Sequence, residues 1–161
     1  GDNGLVLLEG WGSYVFLGTI LTDVAPYPWP KSAPVRHCHR CGACACACPG
    51  GALGEGQVTV ERCLSHLTQK TGELTPAEAA LLAGHSLIWG CDTCQRVCPY
   101  NRDVPLTPLD EFRQDLMCSL SAADVAGLTR RQFLEHFPRR AFTWRGPAVL
   151  RRNLAGKQKN E

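Results

Sequence analysis

Two stretches of this chain repeat one spacing of cysteines, and few folds can satisfy it. The first holds Cys38, Cys41, Cys44 and Cys48, followed by Pro49: C-x-x-C-x-x-C-x-x-x-C-P. In the second, Cys63 stands alone, a spacer follows, and Cys91, Cys94, Cys98 and Pro99 complete the same order. Eight of the ten cysteines are thereby placed. Three cysteines at two-residue intervals wrap one cubane iron–sulfur cluster in a short loop. In two-cluster ferredoxins the fourth, before the proline, ligates the other cluster. The spacing therefore predicts two 4Fe–4S clusters with crossed ligands. Cys38, Cys41, Cys44 and Cys98 are expected to hold one, and Cys48, Cys63, Cys91 and Cys94 the other. The proline after each fourth cysteine stops further helix and fixes the turn.

Zinc and disulfides are the competing uses of cysteine. Zinc sites take two C-x-x-C knuckles, or one knuckle plus histidines, and C-x-x-C-x-x-C-x-x-x-C-P fits that poorly. Disulfides favour small secreted chains, and no export signal is visible. Thiolates also select iron–sulfur or zinc over hard cations. Of the two remaining cysteines, Cys46 is read as a small buried or spare thiol, with a substitute ligand as the other reading. Cys118, in the apolar run Leu116–Leu120, is expected in the core.

At 161 residues the chain is long enough for one domain, or a small domain with extensions. It begins at Gly1, which suggests a fragment or a processed product. Its apolar runs are too short to span a bilayer, and cluster-type cysteines without a visible export signal suggest a reducing cytoplasm; a monomer without a membrane partner is expected. The net charge of +2 hides an asymmetry. From Thr129 onward nine basic residues face two acidic ones, a net +7, which leaves −5 for the rest. A basic end on an acidic redox body points to a polyanionic partner, with a solvated helical face as the alternative.

Local patterns predict an α+β fold. Residues 4–8 and 13–21 flank the turn Glu9–Gly12 and read as a hairpin or two packed strands. Pro26, Pro28, Pro30 and Pro34 mark an extended connector. Val58–Val60 reads as a short strand and residues 62–69 as one or two helical turns. Thr75-Pro-Ala-Glu78 opens a helix reaching about Ala83. Further helices are expected from Ser119 and over Thr129–Phe137, the latter capped by Thr129 with Gln132 three residues on. Phe133, Leu134 and Phe137 would form its packing stripe. The expected organisation is a β-hairpin remnant with its connector (1–33), a ferredoxin-like double-cluster domain (34–104) and a basic helical extension (105–161).

Segments outside the cysteines carry a resemblance. Gly12-Ser-Tyr-Val-Phe-Leu-Gly-Thr-Ile-Leu-Thr-Asp23, Arg62-Cys-Leu-Ser-His-Leu-Thr68, residues 88–101 and Leu150-Arg-Arg-Asn153 resemble the epoxyqueuosine reductases, oxidoreductases that make the tRNA nucleoside queuosine. The resemblance implies reduction of an epoxide in tRNA with cobalamin and two 4Fe–4S clusters, electrons passing through the clusters to cobalt. It also implies that Ser65, Cys91 and Asp92 lie near the corrinoid. Helix capping for Ser65 and loop solvation for Asp92 are the plain alternatives. The family's catalytic aspartate lies upstream of the region matched here, so no residue takes that role and the segment alone is expected to be inactive. Its GKNT motif appears as Gly1-Asp2-Asn3-Gly4, without the lysine. If the partner is tRNA, Arg139, Arg140, Arg145, Arg151 and Arg152 are the expected phosphate contacts. A stand-alone double-cluster ferredoxin and another corrinoid iron–sulfur reductase are the rival readings. The sequence identifies no electron donor.

Overall fold

A computed structural model of the chain describes residues 1–24, 28 and 37–157. Seven α-helices dominate these residues, with one two-stranded antiparallel sheet. The helices are α1 (Ala43–Ala47), α2 (Leu64–Gln69), α3 (Pro76–Ala83), α4 (Thr93–Arg96), α5 (Ala122–Val125), α6 (Arg130–His136) and α7 (Pro147–Lys157). The strands are β1 (Leu53–Gly54) and β2 (Gln57–Val58), with Leu53 opposite Val58. Between them Glu55 and Gly56 both adopt positive φ, as a two-residue hairpin turn requires.

The helices begin where their caps lie. The Thr75 hydroxyl accepts from the Glu78 amide, and Glu78 reaches back to the Thr75 amide at 2.9 Å. The same reciprocal pairing starts α5 at Ser121 and α6 at Thr129. Glu78 also accepts from Lys70 at 2.7 Å, tying α2 to α3, and this bond holds its carboxyl below the usual carboxylate range. At the other end of α3 the Lys157 ammonium of α7 donates to the Leu82 and His85 carbonyls.

The apolar core lies among α5, α6 and α7: Val125, Phe133, Phe137, Leu150 and Leu154, flanked by Ile88, Trp89 and Phe142. Phe133 and Phe137 stack edge-on at 5.2 Å, and Phe142 meets Trp89 at 6.4 Å. Trp89 thereby carries the core to the segment that enters the second cysteine run.

Several expectations fail. No hairpin forms at residues 4–22. Leu8 and Gly12 make a single bridge across the turn, and the chain beyond Ser13 runs extended without a strand partner among the described residues. The cause is local. Ser13 bonds to Asn101 instead, which steers the following segment away from residues 4–8. Leu134 is exposed, so only Phe133 and Phe137 of the α6 stripe face inward. Cys118 is exposed too, because its run is irregular and only Leu120 packs against the core. Val60 starts a 3-10 turn, Val60–Arg62, and is not part of a strand. Pro26, Pro30 and Pro34 lie outside the described residues.

One buried polar network joins the halves. Asn153 of α7, 1% exposed, donates to the Thr68 carbonyl at 2.8 Å and the Ile88 carbonyl at 2.9 Å. Its neighbour Arg152 donates to the carbonyls of Leu67, Lys70 and Gly72. The exposed pair Arg131–Glu135 contributes only about 0.3–0.5 kcal/mol. Each buried acceptor left unpaired costs about 1–3 kcal/mol. Asn153→Ala is therefore expected to lower unfolding stability by at least about 2 kcal/mol, and Glu135→Ala by less than about 0.5 kcal/mol. Urea denaturation measures both.

Candidate metal centre

The two cysteine runs fold alike and meet. α1 carries Cys44 and Cys46, α4 carries Cys94, and the two short helices pack against each other. After each helix the cysteine that precedes proline turns the same way, Cys48 at φ −68, ψ 114 and Cys98 at φ −68, ψ 126. Extended backbone there is what a following proline demands. In the first run Gly42 takes φ 75 and Arg40 φ 52, which curls the loop back on itself. Backbone amides turn towards sulfur: Arg40 N–H towards Cys38 Sγ at 3.4 Å, and Ala52 N–H towards Cys48 Sγ at 3.2 Å.

Cys38, Cys41, Cys44 and Cys98 line one cavity of about 500 Å³. Three come from the first run and one from the second. Asp2, Asn3 and Leu7 close one wall, and His39 and Tyr100 another. The two rings lie 5.1 Å apart, and the Tyr100 hydroxyl donates to the His37 carbonyl. Burial pushes the Cys98 thiol up, and its neighbours Cys41 and Cys38 push it further. Burial raises Cys44 as well.

Backbone contacts tie together the segments that carry the other four cysteines. The turn after Cys48 lies against the residue before Cys63: Arg62 Nε donates to the Gly50 carbonyl at 2.8 Å. A Cβ on Gly50 would sit 1.9 Å from the Arg62 carbonyl oxygen, so only glycine allows the approach. Cys63 caps the N-terminus of α2. The Gly90 amide donates to the Thr68 hydroxyl of α2 at 2.9 Å, which sets Cys91 beside that helix. Burial raises the Cys94 thiol, and the charges of Cys91, Cys44 and Cys48 add to it. Among the described residues no three His, Cys, Asp or Glu side chains close around a single ion. A cubane spreads its ligands over four iron corners and does not draw them to one centre, and the four thiols lining the first cavity suit that spread.

These features match known proteins. Residues 37–101 match the family described as a 4Fe-4S double cluster binding domain. The epoxyqueuosine reductase of Listeria monocytogenes is 35% identical over 156 residues, 95% of this chain and 40% of that protein. The chain is similar to the epoxyqueuosine reductases over nearly its whole length. The solved structure of epoxyqueuosine reductase from Streptococcus thermophilus matches with a TM-score of 0.73 at 33% identity, over 99% of this chain and 42% of that one. A crystal structure of epoxyqueuosine reductase with a tRNA-Tyr epoxyqueuosine-modified tRNA stem loop gives 0.71 at 30% identity, over 97% and 41%. The chain spans about two fifths of the length of these relatives. Its residues 37–101 thus match a 4Fe-4S binding domain, and the proteins it resembles are reductases. Among the described residues no helix is long and apolar enough to cross a membrane.

The remaining candidates are scattered. Ser65 lies within α2 and does not cap it; its Oγ accepts from Gln69. Asp92 is exposed and accepts from Gln95. The Cys91 thiol lies 3.5 Å from the Thr93 hydroxyl, and Cys46 is exposed. Among the arginines, Arg140 pairs with Asp115 at 2.7 Å, and Arg151 donates to the Val125 and Leu128 carbonyls. Arg152 is committed to the carbonyls named above. Arg139 is exposed at φ 57. The sequence reading missed the lining residues Asn3, Leu7 and Tyr100. The only available sign was the Gly1-Asp2-Asn3-Gly4 turn itself.

The cavity wall depends on how residues 1–13 are pinned. Ser13 N–H donates to Asn101 Oδ1 at 2.7 Å, and Asn101 Nδ2 donates to Ser13 Oγ at 2.8 Å. Gly12 adopts φ +62, and a Cβ there would lie 2.0 Å from Asn101 Oδ1. Gly12→Ala is expected to cost at least about 1–2 kcal/mol and to speed proteolysis within residues 1–24. Gly18→Ala, with nothing within 4 Å, leaves the cleavage rate unchanged.

Proposed function

We propose that this chain is the electron-transferring iron–sulfur part of an epoxyqueuosine reductase, acting in the reduction of epoxyqueuosine to queuosine in tRNA. One observation carries the reading: a thiol of the second run, Cys98, shares a cavity with three thiols of the first. Cys38, Cys41, Cys44 and Cys98 would hold one cluster, and Cys48, Cys63, Cys91 and Cys94 the other. The packing of α1 on α4 supports two clusters held close together, as short-range electron transfer between them requires. Amides turned towards Cys38 and Cys48, together with burial, are the chain's means of setting their potentials.

Cobalamin is part of the same proposal. An epoxide oxygen leaves only with electrons that side chains cannot supply, and bound cobalamin supplies that chemistry. Ser65, Cys91 and Asp92 are the residues assigned to its neighbourhood. What supports it is the surface beside them. Tyr14 is half exposed and sits in the field of Asp92, and Phe16 and Leu17 follow it in the open. Such a face suits a broad, largely apolar ligand. The phosphates of tRNA would meet the basic end, where Arg139 and Arg145 lack the internal carboxylate or carbonyl partners that occupy Arg140, Arg151 and Arg152.

Anaerobic reconstitution tests the core of this. The wild-type protein is expected to hold about eight irons per chain, and Cys98→Ala or Cys48→Ala about four each. Electron paramagnetic resonance of the two variants would show two different residual clusters. Zinc in place of iron, or fewer than about eight irons in the wild type, overturns the assignment. For the tRNA arm, affinity is expected to fall linearly in a log–log plot against salt; a flat plot removes tRNA from the proposal.

A further inference from the structure

The 3-10 turn Ala141–Arg145 shows two aromatic rings in opposite settings. Phe142 packs inward on Phe133 and Phe137 at 6.0 and 5.4 Å. Trp144, two residues on, is 55% exposed. The Arg145 guanidinium lies over the Trp144 ring, its carbon 3.6 Å from the centroid. Arg145 Nε is buried and has no hydrogen-bond partner among the described residues. Its neighbours differ: Arg131 pairs with Glu135, Arg140 with Asp115, and Arg152 with carbonyls. A fourth group completes the patch. The Arg130 guanidinium lies against Gly146, whose Cβ, if present, would be 3.0 Å from Nη1. Gly146 has φ +81, so the turn can pass under Arg130 only as glycine.

We propose that Trp144 and Arg145 form a stacking platform for an unpaired RNA base, with Arg130 meeting the adjoining phosphate. This deepens the tRNA reading and rests on it. Phosphate contacts alone need only exposed cations, and the basic end has several. An indole held open beside a flattened guanidinium adds what phosphate does not use, a π-face for a base. Cation–π contact holds the arginine in the stacking orientation before the ligand arrives. An acidic peptide would satisfy the cations but leave the ring without a purpose.

The test uses the full chain with its clusters reconstituted and a fluorescent tRNA-Tyr anticodon stem loop. A second probe carries abasic sites throughout the loop. Trp144→Ala is expected to bind the intact loop roughly five- to a hundredfold more weakly, at wild-type iron content. Trp144→Phe keeps a stacking ring and stays close to wild type. The abasic probe binds wild type and Trp144→Ala alike, and Arg130→Gln flattens the salt dependence for both probes. If Trp144→Ala binds the intact loop as wild type does, the platform fails while the tRNA reading stands. Equal losses on both probes mean that the ring acts through the fold, which also overturns the platform. If wild type binds neither probe, the tRNA reading and the platform fall together.

Discussion

Short helices leave most of their carbonyls without intrahelical partners, and the regular structure among the described residues is mostly short helices. Two adjacent side chains of α7 meet much of that demand. Arg152 and Asn153 together take carbonyls from Leu67, Thr68, Lys70, Gly72 and Ile88. These five residues end α2 and approach the second cysteine run. Because Thr68 in turn receives the Gly90 amide, α7 sets the position of Gly90 and of Cys91 after it. Partial burial lowers the Arg152 pKa, and its guanidinium is saturated with acceptors that replace the water it loses. The C-terminal helices are thus the support on which half of the proposed second ligand set rests.

The cysteine runs need that support because they have little of their own. α1 and α4 have five and four residues and no buried side chain. Their loops are shaped by positive φ at Arg40, Gly42 and Gly90 and by the contact of Gly50 with Arg62. A loop this thin gains its fixed geometry from cross-ties. Under the proposed ligand sets each cluster would cross-tie both runs, with Cys48 and Cys98 as the exchanged members. Ligand exchange would then couple the order of one loop to the metal of the other.

What could be read in the sequence was whatever depends on spacing within one stretch. The cysteine spacing is such a rule, and so are the caps at Thr75 and Thr129 and the length of α3, which appear in the fold. The relationship to the epoxyqueuosine reductases was legible for a similar reason, since it rests on contiguous segments. What depends on distant partners was not legible. Asn153 looks like any helix residue until Thr68 and Ile88 are placed beside it. Asn3 and Leu7 become cavity wall only because Ser13 is tied to Asn101 88 positions away. The hairpin failed for the same reason, since alternation of β-formers shows what a strand would like and not whether an edge awaits it.

That failure bears on the surface of the molecule. Phe16, Ile20 and Leu21 are each at least 90% exposed, and Leu17 and Val24 at least 70%. Phe112 reaches Phe16 at 5.8 Å and is itself half open to solvent. Scattered apolar side chains need no explanation, but a contiguous open run with strand propensity does. An unpaired run of this kind offers its backbone and one apolar face to whatever strand comes alongside. Tyr14 at its start lies in the field of Asp92 and of Cys94 and Cys98. The open run therefore begins at the proposed clusters.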